Sequence, residues 1–161
     1  MVGGLTMTRI RPSRPDEAGR LFEIWRGAVE ATHHFLPVDA ASAIAASVRD
    51  EYLPGAELWV AEDEGGRPLA FMGMTGNSVD SLFVDPACHG RGIGRALIAH
   101  ARGAAGPLKV DVNEQNPGAL AFYLSLGFRI EGRSGTDSGG RPFPILHLAE
   151  GPEAESAGGE G

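Results

Sequence analysis

The sequence is poor in cysteine and in long apolar runs, and both absences exclude classes of protein. Its 161 residues include one cysteine, Cys88, so neither an intramolecular disulfide nor a cluster of thiolates around a metal can form. No window contains the ~18 consecutive apolar residues of a transmembrane helix, and the first residues lack the basic and then apolar order of a secretion signal. We therefore expect a cytoplasmic protein that does not bind membranes.

Basic residues are also scarce, with 14 lysines and arginines against 21 acids and a formal net charge of −7. A mildly acidic body argues against nucleic-acid binding, which needs a basic face. The five histidines show no metal-ligand spacing, so we expect no bound metal. We expect one domain over residues 7–149, a flexible N-terminus over 1–6, and a disordered acidic tail over 150–161, because that tail is rich in Gly, Glu, Ala and Ser.

The apolar periodicity predicts an α/β protein with the element order β-α-α-β-β-β-α-β-α-β-β. A capping box at Ser13 and Asp16 predicts the start of the first helix, and Asn116 with Pro117 predicts the start of the last. Gly127 is expected to end that last helix. The predicted strands are 7–11, 57–62, 68–75, 79–84, 108–112 and two within 128–149, and the predicted helices are 13–33, 39–51, 93–104 and 116–127.

The most informative segment is glycine-rich and lies between a predicted strand and a predicted helix. Residues 89–94 read HGRGIG and are followed by Arg95. Glycines let the backbone approach a ligand, and a helix N-terminus presents unpaired N–H groups that favour phosphate oxygens. A dinucleotide fingerprint would need glycine at position 95, and a nucleotide P-loop would need Gly-Lys-Ser/Thr, so neither pattern matches. A loop that only turns the chain is the structural alternative.

A second pattern lies in residues 116–128, which read NPGALAFYLSLGF. Phe122 and Tyr123 follow Ala119 by three and four residues, so the three side chains share one helix face. Taken alone, this pattern is also that of an amphipathic core helix with an asparagine cap. The two patterns in this order, each in its matching strand and helix context, are much more specific than either one.

Together the two patterns resemble the GNAT superfamily of N-acetyltransferases. The family's acetyl-CoA motif, Gln/Arg-x-x-Gly-x-Gly/Ala, reads His89-x-x-Gly92-x-Gly94 here, with His89 in place of the usual glutamine or arginine. Residues 82–86, LFVDP, are typical of the family's fourth strand. The resemblance covers nearly the whole chain. It implies a mixed, mostly antiparallel sheet of six to seven strands, flanked by about four helices, with splayed strands 4 and 5.

The resemblance also implies a chemistry and its residues. A neutral primary amine would attack the thioester of acetyl-CoA directly, while a backbone N–H near Val84 binds the oxyanion and Tyr123 protonates the leaving thiolate. Asp80 is a candidate general base, with a water chain or no dedicated base as alternatives. The implied acetyl-CoA contacts are Leu82, Phe83, Val84, His89, Gly90, Arg91, Gly92, Ile93, Gly94, Arg95, Asn113, Asn116, Ala119, Phe122 and Tyr123. The implied acceptor contacts are Trp25, His33, His34 and Phe35, with Arg133 and Asp137 as further candidates.

The acceptor amine stays open at this point. Protein lysine is proposed for the bacterial subfamily that the chain resembles, and an amino acid, a polyamine or an aminoglycoside is the alternative. A non-catalytic acyl-CoA-binding module is an alternative of another class, which the presence of Tyr123 disfavours. We expect a monomer or a homodimer.

Overall fold

The computed structural model describes residues 9–32, 38–55, 57–137 and 139–150. Its elements follow the predicted order, except that a short third helix precedes the second strand. The strands are β1 (Arg9–Pro12), β2 (Leu58–Glu62), β3 (Pro68–Thr75), β4 (Ser78–Val84), β5 (Lys109–Asn113), β6 (Phe128–Ser134) and β7 (Ile145–Glu150). The helices are α1 (Ala18–Thr32), α2 (Val38–Ser47), α3 (Leu53–Gly55), α4 (Ile93–Ala105) and α5 (Pro117–Ser125). Within these described ranges, no helix combines the length and the apolar character needed to cross a membrane.

The seven strands pair in the order β1-β2-β3-β4-β5-β7-β6, which confirms the predicted mixed sheet. β1 with β2, β2 with β3, β5 with β7 and β6 with β7 are antiparallel. β4 and β5 are parallel and pair through Ser78–Lys109 and Val79–Val110. Both strands continue past these pairs, β4 to Val84 and β5 to Asn113. The splaying of strands 4 and 5 that the resemblance implies stays a prediction.

The chain folds into two compact units, which we describe separately. Among the described residues, unit 1 comprises those within 9–74 and 81–100, and unit 2 comprises those within 75–80 and 101–150. In unit 1, α1 buries the predicted face through Leu21, Trp25 and Ala28. The core cluster of unit 1 consists of Leu21, Ile24, Trp25, Leu53, Leu58, Val60 and Phe71.

The approach to α1 differs from the predicted capping box by one residue. The Glu17 carboxylate accepts a hydrogen bond from the Arg14 N–H at 2.9 Å, so the capping pair is Arg14 and Glu17 rather than Ser13 and Asp16. Ser13 is bound to β2 instead. Its N–H donates to the Leu58 carbonyl at 2.7 Å and its hydroxyl accepts from the Leu58 N–H at 3.3 Å. Because the β1–β2 pairing continues through Ser13, the cap moves one residue along the chain.

The predicted second helix, 39–51, is interrupted by a π-helical turn. α2 ends at Ser47, and the turn Val48–Tyr52 connects it to α3. The Tyr52 hydroxyl lies 2.8 Å from the Ser81 hydroxyl, which also accepts the Gly73 N–H at 3.0 Å. A π turn rotates the residues that follow it relative to an α-helix, and such turns have no signal in a 3.6-residue period.

Unit 2 buries alternate residues of its strands. Along β5, Val110 and Val112 are buried whereas Lys109 and Asp111 are exposed, as the alternation predicts. Their partners on β7, Leu148 and Leu146, are also buried. α5 contacts β5 and β6, so one face of these strands is covered by a helix.

The last described residue, Glu150, belongs to β7 rather than to the tail that was expected to begin there. Its carboxylate pairs with the Arg102 guanidinium and accepts the Leu108 N–H at 3.0 Å. Arg102 also donates to the Leu126 carbonyl at 2.8 Å. The ordered domain therefore includes residue 150, and the rest of the expected tail lies outside the described residues.

A nearly buried ion cluster fixes β1 within unit 1. The Arg11 guanidinium pairs with Glu62 of β2 and donates to both carboxylate oxygens of Glu17, at 3.0 and 2.6 Å. Only 12% of the Arg11 side chain, 11% of Glu17 and 7% of Glu62 is exposed. These bonds to Arg11 lower the pKa of the Glu17 carboxyl group. Removal of the arginine would leave two carboxylates with little access to water.

We predict that Arg11→Met lowers the free energy of unfolding by about 3 kcal/mol, because a buried ion pair loses one partner. Urea denaturation at pH 7 measures the loss. Since the pKa of Glu17 is lowered in the folded protein, its stabilising contribution is present above the ordinary glutamate pKa of ~4.3 and is lost as the pH falls through the folded-state value. The wild type should therefore lose stability in acid faster than the variant does. Arg49→Met, which removes an exposed partner of Asp50, is the control and should change stability little. Equal stability of Arg11→Met and wild type at pH 7 would contradict the prediction.

Candidate active site

The exit of β4 is held by Asp85. Its carboxylate accepts the Ala87 N–H at 3.0 Å and the Arg20 guanidinium at 2.8 Å. The bond from Ala87, followed by the bond from Arg20, lowers the pKa of Asp85. A 3-10 turn, Pro86–Cys88, follows directly. The chain therefore leaves the strand in a fixed direction before the glycine-rich segment begins.

Two glycines with positive φ precede α4. Gly90 has φ +83° and Gly92 has φ +79°, values that side chains rarely adopt, and nothing lies within 4 Å of either Cβ position. The Ala96 N–H donates to the Gly92 carbonyl at 2.9 Å, and α4 begins at Ile93. The N–H groups of its first turn therefore have no carbonyl partner within the helix.

The charge and exposure of this segment suit an anion. Residues 89–92 and Arg95 are exposed, so the glycine-rich backbone is open to solvent. The positive end of the helix dipole favours negative charge there. Arg91 and Arg95 add guanidinium donors, which bind phosphate well. In unit 1, then, the segment predicted to bind phosphate has the backbone geometry for it.

In unit 2, α5 begins as predicted. The Asn116 side chain accepts the Ala119 N–H at 3.1 Å, and Pro117 occupies the first helical position. Asn113 closes the preceding turn, because its side chain accepts the Gln115 N–H at 3.0 Å. Gly127 ends the helix with φ +100°. Both asparagines thus have structural roles, which are compatible with the ligand contacts predicted for them.

Tyr123 is the buried aromatic residue of α5. It is 7% exposed and packs edge-on against Phe122 and Phe128, with ring centroids 5.0 and 5.3 Å apart. Burial raises the pKa of its phenol above the ordinary value, because the charged form loses solvation. The phenol therefore keeps its proton at every physiological pH, as a proton donor must.

Comparison with known proteins identifies the family. Residues 54–130 match the family model described as acetyltransferase (GNAT) domain. The peptidyl-lysine N-acetyltransferase YjaB of Salmonella typhimurium is 44% identical over 142 residues, which cover 88% of this chain and 97% of the relative. The chain belongs to the GNAT acetyltransferases. The solution structure of apo YjaB from Escherichia coli superposes with a TM-score of 0.86 at 43% identity and covers 89% of this chain and 97% of that one. A further fold neighbour is yncA from Salmonella typhimurium with its cofactor acetyl-CoA, with a TM-score of 0.57, 23% identity and coverage of 88% and 92%.

The remaining predicted residues of this GNAT chain lie in different environments. Leu82, Phe83 and Val84 are partly buried, and the Phe83 ring lies 5.6 Å from that of Phe71. Trp25 is 7% exposed in the core cluster of unit 1, so packing accounts for its burial, and its contact with an acceptor stays a prediction. The predictions for His33, His34 and Phe35 fall outside the described residues.

Three further candidates are exposed or serve local structure. Asp80 is exposed, and its carboxylate accepts the Thr75 hydroxyl. Arg133 donates to both carboxylate oxygens of Glu114, at 3.0 and 2.9 Å. Asp137 accepts two N–H groups of its own loop. The roles assigned to these residues from the sequence stay predictions.

Sequence reasoning missed a row of polar side chains in unit 2. The His147 imidazole lies 2.7 Å from the Ser134 hydroxyl through Nε2 and 2.8 Å from the Asp111 carboxylate through Nδ1. These residues are far apart in the chain and match no local motif. Elsewhere in the described ranges, Cys88 is buried, and no group of three or more His, Cys, Asp or Glu residues is arranged to hold a metal ion.

We predict that Gly92→Ala weakens acetyl-CoA binding on the order of tenfold, because a side chain at φ +79° costs about 1–2 kcal/mol and the backbone must move to relieve it. Calorimetric titration measures the affinity. Gly103→Ala is the matched control, since Gly103 is exposed within α4 with open space at its Cβ position. The control should bind normally and gain about 0.5–1 kcal/mol of stability. If Gly92→Ala bound acetyl-CoA as tightly as the wild type does, the backbone of this turn would not be the binding site for its pyrophosphate.

Proposed function

We propose that this acetyltransferase moves the acetyl group of acetyl-CoA to the ε-amine of a lysine in a protein. The assignment of acetyl-CoA as the acetyl donor rests on the open glycine turn. In this turn, Gly90 and Gly92 have positive φ and directly precede the first turn of α4. The acceptor is supported by the 44% identity to a peptidyl-lysine N-acetyltransferase along nearly the whole chain. A cytoplasmic location and a monomeric or dimeric state are further parts of the proposal, which rest on the sequence.

Backbone N–H groups make most of the contacts to the phosphates of acetyl-CoA. The N–H groups of residues 90–94 bind the pyrophosphate, and Arg91 and Arg95 neutralise part of its charge. Asn113 and Asn116 offer side-chain amides to the pantetheine arm, while Ala119 and Phe122 give it an apolar surface. Because main-chain groups supply most of the phosphate contacts, His89 is compatible with acetyl-CoA binding despite its departure from the family motif.

The transfer step needs two proton transfers and one hydrogen-bond donor to the oxyanion. The neutral amine attacks the thioester carbon. The thioester oxygen then becomes anionic and accepts a hydrogen bond from a backbone N–H near Val84. The C–S bond then breaks, and the thiolate takes the proton of the Tyr123 phenol. Burial that raises the pKa of this phenol also raises the basicity of a thiolate beside it, so the transfer does not depend on a more acidic tyrosine.

Acetylation of a defined acceptor tests the function. The protein is incubated with acetyl-CoA and, separately, a lysine-containing peptide, free lysine and a polyamine. Release of CoA and mass spectrometry then report transfer. We expect acetyl-lysine in the peptide. Transfer to a small amine alone would overturn the protein acceptor, and transfer to no amine, despite tight binding of acetyl-CoA, would indicate a non-catalytic binding module.

We predict that Tyr123→Phe lowers kcat by about 10²-fold, the lower end of what general acid catalysis contributes. The affinity for acetyl-CoA should be unchanged, because the aromatic ring and its packing against Phe128 remain. Since the pKa of the phenol is raised, its ionisation should not reduce the wild-type kcat below pH ~10. Steady-state kinetics over a range of pH measure kcat, and calorimetric titration measures the affinity for acetyl-CoA.

Tyr52→Phe is the matched control for the loss of a phenol hydroxyl. It removes the group that lies 2.8 Å from the Ser81 hydroxyl in unit 1, so it should affect stability while kcat stays near the wild-type value. If Tyr123→Phe turned over as fast as wild type at every pH, Tyr123 would not be the proton donor.

A further inference from the structure

Three strands of unit 2 bring a serine, a histidine and an aspartate into one hydrogen-bonded row. His147 of β7 is paired with Asp111 of β5, and its Nδ1 lies 2.8 Å from the Asp111 carboxylate. Its Nε2 lies 2.7 Å from the hydroxyl of Ser134, the last residue of β6. Val110 and Val112 are buried on the face that α5 covers. The row therefore occupies the opposite, solvent-facing side of these strands.

The hydrogen bonds determine where the imidazole proton lies. An ionised carboxylate only accepts hydrogen bonds, so His147 Nδ1 carries a hydrogen and donates it to Asp111. In the neutral ring, Nε2 is then an acceptor, and the Ser134 hydroxyl donates to it. The same order of contacts activates the serine of hydrolases, because the imidazole takes the hydroxyl proton while the oxygen attacks a carbonyl carbon.

A β-bulge places Ser134 in the row. β6 and β7 pair through Gly132–His147 and Ser134–Ile145, after a register shift that leaves Glu131 as the extra residue. Ile145 and His147 share one face of β7, so Ser134, which is opposite Ile145, points to that face as well. Without the extra residue, the register would shift by one and the hydroxyl would point to the other face. The bulge therefore directs the hydroxyl to the imidazole.

Glycines on both sides of Ser134 hold the ring and leave the hydroxyl accessible. Gly132 lies against the imidazole, since its Cβ position is 3.5 Å from Cδ2 of His147. Gly135 is exposed, and nothing lies within 4 Å of its Cβ position. A small acyl group can therefore approach the Ser134 oxygen from the side of Gly135. The N–H of Gly135 directly follows the hydroxyl-bearing residue, which is where acyl-transfer enzymes often have a donor for the oxyanion.

We propose that Ser134 is the nucleophile of a second, hydrolytic activity whose substrates are esters of short carboxylic acids. His147 is the general base and then the general acid of this activity. Asp111 does not touch the substrate and is a positioning residue, since it holds the tautomer in which Nε2 accepts. The activity is additional to the proposed acetyl transfer and does not depend on acetyl-CoA.

The reaction has two steps, and each returns its proton. The Ser134 oxygen attacks the ester carbon while the hydroxyl proton passes to His147 Nε2. The C–O bond to the alcohol then breaks, and the imidazolium gives the leaving alkoxide that proton, which leaves an acyl-serine. Water attacks the acyl-serine as Nε2 takes one of its protons. The Ser134 oxygen leaves, regains the proton from Nε2, and the carboxylic acid is released.

A fluorophosphonate tests the nucleophile in the intact protein, because it forms a bond from phosphorus to an activated serine oxygen and releases fluoride. We expect one adduct per chain, located at Ser134 by mass spectrometry of the peptides. His147→Gln should slow the labelling by about 10²-fold, the lower range of a general base contribution. Ser47→Ala, which removes an exposed hydroxyl of α2, is the matched control and should label normally.

The pH profile of labelling separates a chemical role of the row from a structural one. Imidazole ordinarily changes charge between about pH 5 and 8, and the protonated ring cannot accept the hydroxyl proton, so wild-type labelling should slow as the pH falls through this range. Asp111→Asn should label slowly throughout, because an amide that donates to Nδ1 moves the ring hydrogen to Nε2. The other charged groups near the ring line a cavity of about 480 Å³ beside it, and they are Asp80, Lys109 and Glu131.

Hydrolysis of p-nitrophenyl acetate tests the complete reaction. Exposed lysines and histidines also attack this ester, so we compare the wild type with Ser134→Ala and locate the acetyl group in quenched samples by mass spectrometry. We expect acetyl-Ser134 and a burst of nitrophenol in the wild type, and neither in Ser134→Ala.

Labelling at other residues, or equal labelling of His147→Gln and wild type, would overturn the nucleophile. Labelling of Ser134 without turnover of the ester would overturn the hydrolytic activity. If His147→Gln folds poorly, Asp111→Asn provides the same test of the row. Acetyl transfer is measured on the same preparations without the ester, so its failure overturns the proposed function and leaves this inference unaffected.

Discussion

An α-helix cannot satisfy the N–H groups of its own first turn, and this chain exposes that end of α4 to solvent. Gly90 and Gly92 hold the preceding backbone at positive φ, and Asp85 fixes the point where the chain leaves β4. The open amides need an anion or water. The family and the two nearby arginines favour the pyrophosphate of a coenzyme A thioester as this partner. The proposed chemistry depends on the binding of that pyrophosphate by the exposed amides.

The second constraint is alternation in the strands of unit 2. Val110 and Val112 are committed to the buried face, so Asp111 between them must face solvent. The same rule applies to His147 between Leu146 and Leu148. One face of these strands therefore packs against α5, which carries Tyr123, and the other face presents titratable groups. Tyr123 and the hydrogen-bonded row of Asp111, His147 and Ser134 are therefore carried on opposite sides of these strands.

Much of the fold follows from the sequence, because its signals are local. The order of strands and helices, the cap at Asn116, the stop at Gly127 and the alternation of β5 all depend on residues a few positions apart. The predicted helix boundaries were wrong where a residue forms a hydrogen bond to a partner that is distant in the sequence. Ser13 is bound to Leu58 of β2, which moves the cap of α1, and Tyr52 reaches Ser81 from a π turn that no helical period indicates.

The sequence by itself determined the family's glycine turn, its strand and helix context and the placement of Tyr123 on the last helix, because φ requirements and helix periodicity are written in short segments. Only the tertiary structure decided the partners of Arg11 and the row of Ser134, His147 and Asp111. His147 is 36 residues from Asp111 and 13 from Ser134 in the chain. Their meeting depends on strand order, register and one bulged residue, and these are set by the packing of the whole sheet rather than by any local pattern.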